Sequence, residues 1–261
     1  MHPDRQIGTS SGFQDVQWYS KALQKRMAFL LHLPTEYQEQ ARLRYPVLYL
    51  LHGAGHDRLS VLREVRPQQH LAALGESMLV IPDGEQGWWL DSPRVGRSCY
   101  SQYLLELVAL VDERYRTLPD RSARGICGFS MGGFGAMLAA SQHATVFGSA
   151  SSLLGPLDIA ELFPRHYRLR LLLGSDLATW QIYNPTYLAP SLAHAALKFS
   201  TAEAAFDRSQ NVTFAAALRS LGLPFDYQVD PGSHDTAFVR EHIGAHFDFH
   251  WDRFSKAIRA E

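Results

Sequence analysis

The sequence predicts an α/β fold in which a mostly parallel sheet is wound by helices, because short apolar segments alternate with longer helical ones. Seven short segments have the length and apolar content of strands: residues 27–33, 47–51, 78–82, 123–129, 147–151, 197–201 and 225–229. Five longer segments have the composition and length of helices: residues 59–74, 101–115, 131–141, 209–221 and 235–258. The chain has 261 residues and no internal repeat, so one domain over residues 1–261 is expected.

One connection in this alternating pattern is unusually long. Residues 153–195 separate two predicted core strands and are rich in Leu, Pro, Tyr and Arg. Connections of this length in a compact domain usually have structure or function of their own. We expect this stretch to form a small helical lid or side wall over the site rather than a second domain.

The composition is that of an ordinary globular protein. A formal net charge of -1 provides neither the basic surface of a nucleic-acid-binding protein nor an acidic tail. The two cysteines, Cys99 and Cys127, are too few for a disulfide framework, and no Cys/His cluster suggests a metal, so no cofactor is expected. Residues 1–12 lack the apolar core of a signal peptide, and no run is long enough to cross a membrane. These features predict a cytoplasmic protein with a small-molecule substrate and no nucleic-acid or membrane partner; homo-oligomerisation stays open.

A Gly-x-Ser-x-Gly motif spans Gly128 to Gly132, between the predicted strand 123–129 and the Ala/Gly-rich helix 131–141. In this context the serine lies on a sharp strand-to-helix turn with its hydroxyl exposed. The glycines are needed because a Cβ at either position would clash with the neighbouring strand or helix. The motif therefore predicts that Ser130 is a nucleophile rather than an idle serine in a packing turn.

A nucleophilic serine needs a base, and the C-terminal part of the chain supplies a candidate. Residues 230–235 read Asp-Pro-Gly-Ser-His-Asp and follow the predicted strand 225–229. His234 thus lies on a loop just past a late strand, where an imidazole can take the serine proton. The chain has 12 histidines, and those of the last helix are interpreted as surface or helix-face residues: His242, His246 and His250.

The loop after residues 47–51 is the third candidate element, and it reads His-Gly-Ala-Gly. The continuous apolar run before it is typical of a buried parallel strand, so the loop should open at the same sheet edge as Ser130. Two backbone N–H groups then form an oxyanion hole, that of Met131 and that of Ala54. His52 is interpreted as a hydrogen-bond partner that braces the loop rather than as a catalytic group.

Together these landmarks resemble the putative-esterase family of α/β-hydrolases, the esterase D-like or tributyrin-esterase-like branch. The resemblance covers nearly the whole chain and is carried by residues 29–37, 47–53, 80–84, 88–92, 184–189 and 232–235. It implies an α/β-hydrolase fold and a serine carboxylesterase that hydrolyses small acyl esters or thioesters through a Ser-His-acid triad. An acyltransferase of the mycolyltransferase type and a degenerate, non-catalytic binding protein remain alternatives.

The match to the family breaks at the acid of the triad. Family members usually carry Cys-Gly-x-x-Asp after the next-to-last core strand, whereas a gapless alignment here places Ala205 at the acid position. Glu203 and Asp207 lie on either side of it. Glu203 is favoured because it lies nearer the strand end. Asp207 is the alternative acid, although it could also cap the helix that begins near Ser209.

The substrate pocket is expected to be walled by bulky aromatic side chains, namely Trp88, Trp89 and Phe134. Core packing is the competing interpretation of all three. Bulky walls and a short insertion at residues 153–195 favour acyl groups of roughly acetyl to hexanoyl size over long lipid chains.

Overall fold

The computed structural model describes residues 6–8, 12–163 and 165–259. In this part of the chain nine strands form one sheet in the order β1-β2-β3-β5-β4-β6-β7-β8-β9. The strands are β1 (Gln6–Gly8), β2 (Phe13–Ser20), β3 (Lys25–His32), β4 (Val47–Leu51), β5 (Met78–Pro82), β6 (Arg124–Phe129), β7 (Ser149–Leu153), β8 (Ala196–Ala202) and β9 (Asp226–Asp230). Pairing from β5 through β4 to β9 is parallel, and β1, β2 and β3 extend the sheet antiparallel beyond β5. The predicted mostly parallel sheet is confirmed.

Helices flank this sheet. They are α1 (Arg58–Ser60, continued by the π-helical Val61–Val65), α2 (Tyr100–Arg114), α3 (Met131–Gln142), α4 (Tyr167–Leu173), α5 (Leu177–Gln181), α6 (Arg208–Ser220) and α7 (Thr236–Ile258). Short 3-10 turns lie at Thr35–Tyr37, Pro67–Leu74, Arg121–Ala123, Ile159–Leu162 and Ala189–Leu192. Within the described ranges, no helix has both the length and the apolar character that a membrane span requires.

Two apolar clusters pack on the two faces of the sheet. Residues of α2 and α3 pack in one cluster, and residues of α1 and α7 pack in the other. Strands β4, β5 and β6 are buried along their whole length, as the continuous apolar runs predict. Because the carboxyl ends of parallel strands meet at one edge of a sheet, the loops after β4, β6, β8 and β9 converge there.

The helix predicted over residues 59–74 is interrupted. Arg66 has a positive φ of 57°, and Pro67 begins a separate 3-10 turn. Proline lacks an N–H and disfavours a helical conformation in the residue before it, so the run is broken here. The strand predicted over residues 147–151 lies two residues later, as β7, and Phe147 packs its ring against Tyr49 ahead of the strand.

Two histidines of α7, for which surface or helix-face positions are predicted, lie inside the protein and not on its surface. His246 and His250 are 1% and 0% exposed. Serines on β7 and β8 accommodate them: Ser149 and Ser151 hydrogen-bond the two ring nitrogens of His250, and Ser200 bonds Nε2 of His246. Small polar residues on the strands thus allow these imidazoles to be buried. The sequence of α7 alone did not reveal this, because polar and apolar residues are mixed on the helix face that packs on the sheet.

Residues 153–195 contain the expected helical structure, in α4, α5 and two 3-10 turns, and pack back onto the body of the protein. Trp180, on α5, is fully buried and donates from Nε1 to the Gly174 carbonyl at 3.0 Å. The Tyr183 hydroxyl donates to the Asp91 carbonyl at 2.9 Å, which joins the stretch to the loop after β5. Whether it acts as a lid stays a prediction.

Candidate active site

Ser130 lies on the turn between β6 and α3 and has a backbone φ of 53° and ψ of -120°. A side chain in this region is strained and persists only where its surroundings enforce it. A Cβ on Gly128 would lie 2.1 Å from the Gly132 carbonyl oxygen, and one on Gly132 would lie 2.0 Å from that of Leu51. The Ser130 N–H donates to the Leu153 carbonyl at 2.8 Å. The motif therefore forms the sharp turn that its glycines predict.

Three side chains from separate loops form a hydrogen-bonded line. The His234 Nε2 lies 2.9 Å from Ser130 Oγ, and His234 Nδ1 lies 2.7 Å from Asp207 Oδ1. Asp207 is completely buried, and the His234 side chain is 20% exposed. Because a carboxylate only accepts, Nδ1 carries the proton and Nε2 accepts from the serine hydroxyl. In this arrangement His234 Nε2 can accept the proton of the Ser130 hydroxyl.

The prediction that Glu203 is the acid partner of His234 is wrong, and the alternative Asp207 occupies that place. Strand β8 runs to Ala202, and the Glu203 N–H continues its pairing by donating to the Asp230 carbonyl at 2.9 Å. This register points the Glu203 side chain into solvent. The chain then turns back, so that Asp207 is buried against the histidine. Asp207 does precede α6, but its side chain makes no capping bond.

Two further side chains hold the Asp207 carboxylate, and sequence reasoning missed both. Thr201 Oγ1 donates to Asp207 Oδ2 at 2.6 Å, and Asn211 Nδ2 donates to the same oxygen at 2.9 Å. Both residues are fully buried. The signal in the sequence is the spacing of Asp207 and Asn211, four residues apart on one helix face. Thr201 becomes visible as a partner only once β8 is placed beside the start of α6.

The expected oxyanion-hole residues flank Ser130. Met131 is the first residue of α3, and the first N–H groups of a helix have no intrahelical partner. Ala54 is exposed on the loop after β4 and lines the same cavity as Ser130 and His234. Strand β4 brings this loop to the nucleophile because it pairs directly with β6.

His52 braces the loop, as its interpretation requires. The ring is fully buried, its Nδ1 lies 2.8 Å from the Gly53 carbonyl oxygen, and its Nε2 lies 2.8 Å from the Gly84 nitrogen. A carbonyl only accepts and an amide N–H only donates, so the proton lies on Nδ1. Burial lowers the His52 pKa to about 4, so the ring stays neutral near pH 7 and is saturated by these two bonds.

A cavity of about 200 Å³ opens beside Ser130. Its walls come from the loop after β4, the turn after β6, the residue after β7, the loop after β9 and the first turn of α7: Gly53, Ala54, His56, Phe129, Ser130, Leu154, His234, Asp235, Thr236 and Val239. Leu154 is the residue that the stretch 153–195 contributes. The cavity is mixed in character, because apolar Phe129, Leu154 and Val239 line it together with Ser130 and His234.

Trp88, Trp89 and Phe134 are not among the residues that line this cavity, so the expectation that they wall the pocket is wrong. Their side chains are 4%, 0% and 0% exposed and belong to the main apolar core. Trp88 packs edge-on against Phe134, and Trp89 Nε1 donates to the His52 carbonyl at 3.2 Å. Trp88 and Trp89 have positive φ values of 54° and 55°, a turn that rotates both rings inward and that composition does not reveal.

The sheet order, the strand-to-helix serine turn and the late histidine loop define an α/β-hydrolase. Solved structures agree over almost the whole chain. An S-formylglutathione hydrolase from Agrobacterium tumefaciens superposes with a TM-score of 0.80 at 22% identity, covering 96% of this chain and 98% of that one. A fluorophosphonate-binding serine hydrolase of Staphylococcus aureus gives 0.81 at 18% identity, covering 96% and 99%. A ferulic acid esterase gives 0.79 at 21% identity, covering 97% and 100%.

The sequence profile of the family described as "putative esterase" matches residues 20–215. The chain therefore belongs to the putative esterase family. An esterase of Mycobacterium tuberculosis is 35% identical over 135 residues, which are 50% of this chain and 29% of that protein. The match thus spans less than a third of the relative's length.

Proposed function

We propose that this protein is a serine carboxylesterase that hydrolyses small acyl esters or thioesters through an acyl-enzyme. The observation that carries the proposal is the continuous line from Asp207 through His234 to Ser130. Membership of the esterase family supports the same chemistry. A non-catalytic role was left open by the missing acid at the family position, and the buried Asp207 removes that argument.

In the first half-reaction, Ser130 Oγ attacks the carbonyl carbon while its proton passes to His234 Nε2. Asp207 stabilises the imidazolium that forms. The carbonyl oxygen becomes an oxyanion, and the N–H groups of Ala54 and Met131 are placed to donate to it. The tetrahedral intermediate then collapses: the bond to the alcohol or thiol breaks, and the leaving group takes the proton from His234 Nε2.

In the second half-reaction, water replaces the leaving group at the acyl-enzyme. His234 Nε2 takes a proton from the water, whose oxygen attacks the acyl carbon. The second tetrahedral intermediate uses the same two N–H groups. When it collapses, Ser130 Oγ leaves and regains its proton from His234, and a carboxylic acid is released.

The cavity beside Ser130 supports a preference for short acyl groups. Its volume is about 200 Å³, and its lining includes the buried apolar side chains of Leu154 and Val239. A pocket of this size fits a few methylene groups rather than a lipid chain. We therefore propose acetyl to hexanoyl esters as substrates. This proposal rests on the residues that line the cavity and not on Trp88, Trp89 and Phe134, which are buried in the core.

The test is hydrolysis of p-nitrophenyl acetate and butyrate together with labelling by a fluorophosphonate probe. The wild type should turn over both esters and be labelled once. Ser130→Ala should lose on the order of 10⁴-fold in kcat and all labelling, because triad members act as a unit. His234→Ala should lose a similar amount. A folded Ser130→Ala variant with most of its activity would refute the assignment.

A further inference from the structure

Two consecutive residues after β5, Asp83 and Gly84, hold both ends of the loop that carries Ala54. The loop leaves β4 at Leu51 and enters α1 at Arg58. It is short and lies at the sheet edge, so its position depends on what its ends contact. Each end reaches the same dipeptide by a different set of hydrogen bonds.

The first end is fixed through His52. The Gly84 N–H donates to His52 Nε2 at 2.8 Å, and the opposite ring nitrogen donates to the Gly53 carbonyl at 2.8 Å. The imidazole is therefore a rigid bridge from Gly84 to the peptide that immediately precedes Ala54. A Cβ on Gly84 would lie 2.3 Å from the Trp89 ring, so close approach at this point requires glycine.

The second end is fixed through Arg58. Asp83 Oδ1 accepts from the Arg58 backbone N–H at 2.8 Å, and Oδ2 accepts from its guanidinium at 2.6 Å. Asp15 on β2 takes the other side of the guanidinium with two bonds of 2.9 Å. These side chains are only 14–18% exposed, so the contacts are shielded from competing water.

Between the two anchors, the His56 N–H donates to the Gly53 carbonyl at 3.2 Å, and the His56 ring packs edge-on against Phe129. Ala54 and Gly55 are exposed, and Gly55 adopts a positive φ of 81°. The direction of the Ala54 N–H is therefore set by the anchored ends together with these His56 contacts, and not by burial of the Ala54 side chain. Stabilisation of an oxyanion depends steeply on the placement of its donors.

We propose that Asp83 and Gly84 form a clamp that positions the Ala54 N–H for the tetrahedral intermediate, with Asp83 as a positioning residue. The inference rests on the proposed esterase function. Under this proposal Asp83 and Gly84 contribute to stabilisation of the transition state as well as to the stability of the fold. A loop that moves should weaken oxyanion binding and leave ground-state substrate binding almost unchanged.

The chain offers a matched control for a variant at Asp83. The pair formed by Asp112 and Arg124 has the same 2.6 Å contact, with side chains 21% and 6% exposed. It lies at the amino end of β6, opposite the edge where Ser130 lies. Asp83→Ala and Asp112→Ala each remove a partly buried carboxylate from an arginine, but only the first releases the loop. Asp83→Asn keeps an acceptor for the Arg58 N–H and should be intermediate.

For Asp83→Ala we expect kcat on p-nitrophenyl butyrate to fall by about 10- to 100-fold, with KM within about threefold. The inhibition constant of a short alkyl trifluoromethyl ketone, which forms a tetrahedral adduct with the active serine, should weaken by the same factor. Asp83→Asn should fall between wild type and Asp83→Ala on both measures. For Asp112→Ala, kcat and the inhibition constant should both stay within about threefold of wild type. All variants are assayed at a temperature low enough that each is fully folded.

Equal loss in Asp83→Ala and Asp112→Ala would overturn the proposal, because both would then report stability alone. A change confined to KM, or an unchanged inhibition constant for the ketone, would overturn it as well. If Asp83→Ala does not fold, Asp83→Asn is judged by the same two measures. Failure of the proposed function is distinguishable, since it would appear as an active Ser130→Ala variant or an inactive wild type.

Discussion

Both oxygens of the Asp207 carboxylate are used inside the protein. One oxygen faces His234, and the other accepts from Thr201 and Asn211. A carboxylate that is fully buried and held by three donors is fixed in direction as well as in charge. A side chain at position 203 could reach the histidine only by leaving the strand register that its own N–H maintains with Asp230.

This difference predicts opposite outcomes for two nearly isosteric variants. Asp207→Asn removes the charge that stabilises the imidazolium, and we expect kcat to fall by about 10²- to 10⁴-fold. Glu203→Gln changes an exposed side chain and should stay within about twofold of wild type. The measurement is kcat for p-nitrophenyl butyrate, with circular dichroism to check the fold. The reverse ranking would return the role of acid to Glu203.

Thr201 and Thr117 allow a second paired prediction. Both are fully buried and both donate from Oγ1 to a carboxylate, Thr201 to Asp207 at 2.6 Å and Thr117 to Asp112 at 2.7 Å. Each Thr→Val variant should lose a similar free energy of unfolding, about 1–3 kcal/mol. Only Thr201→Val should also lower kcat, by about 3- to 10-fold, because the carboxylate beside His234 loses a restraint.

Urea unfolding and steady-state kinetics on the two threonine variants are sufficient for this test. Similar losses of stability with equal kcat values would show that Asn211 alone fixes the carboxylate. Thr117 lies between α2 and the amino end of β6, whereas Ser130 follows the carboxyl end of that strand. A lower kcat in Thr117→Val would therefore show that activity follows general stability.

At the scale of elements, the first turn of α7 closes the cavity beside the serine. Val239 is buried there and lines the cavity together with Leu154 and Phe129. Val239→Ala removes two methyl groups from the wall, so the p-nitrophenyl ester with the highest kcat/KM should be about one or two carbons longer than in wild type. The acetyl ester should change little, because it does not reach the wall.

A chain-length series from acetyl to dodecanoyl esters measures this shift. Phe214→Leu, in the core between α6 and β8, is a control that trims a buried side chain away from the cavity. An unshifted optimum in Val239→Ala would mean that the acyl chain binds elsewhere. A wild-type optimum at dodecanoyl would refute the preference for short chains.

Elements with one dominant signal could be predicted from the sequence. Strands β4 and β5 begin and end where their apolar runs do, and the serine motif located Ser130 and the start of α3. Strand β2 was missed because Gln14, Asp15 and Gln17 interrupt its alternation of apolar residues. Its polar positions have a partner that only the fold supplies, since Asp15 pairs with Arg58.

The acid and the pocket depended on loop geometry, which the sequence does not encode locally. The chain between β8 and α6 buries Asp207 and exposes Phe206, whose ring lies against His234 in a tilted contact with centroids 4.4 Å apart. A strand-end rule therefore favoured the wrong carboxylate. The same limit applies to Trp88 and Trp89, because two consecutive positive φ values turn their rings into the core.

At the scale of the whole molecule, three neutral imidazoles are buried within the part of the chain that the structure describes. Burial lowers the pKa of His250 to about 3, that of His52 to about 4, and that of His246 well below its usual value of 6.5. Arg253 adds to the effect at His250, and Lys198 adds to it at His246. Strands β7 and β8 meet α7 at two of these rings, so their protonation opposes packing of the longest helix onto the sheet.

Stability should therefore fall on acidification. In the unfolded chain each of these histidines binds a proton near pH 6.5, whereas in the folded protein His52 stays neutral down to about pH 4 and His250 down to about pH 3. Between those values the unfolded state binds more protons, so the free energy of unfolding decreases as the pH falls through this window. Each unit below 6.5 costs up to about 1.4 kcal/mol per buried histidine.

His250→Gln isolates one part of this pH dependence. The variant loses packing at every pH, so its free energy of unfolding should be lower than that of wild type at pH 7.5. Its decline between pH 6.5 and 5 should nevertheless be shallower, by up to about 1.4 kcal/mol per unit, because one proton uptake by the unfolded chain is removed. Urea unfolding at half-unit steps of pH measures both slopes. Parallel curves would show that His250 binds its proton equally in both states, and the buried imidazole would then have no part in acid sensitivity.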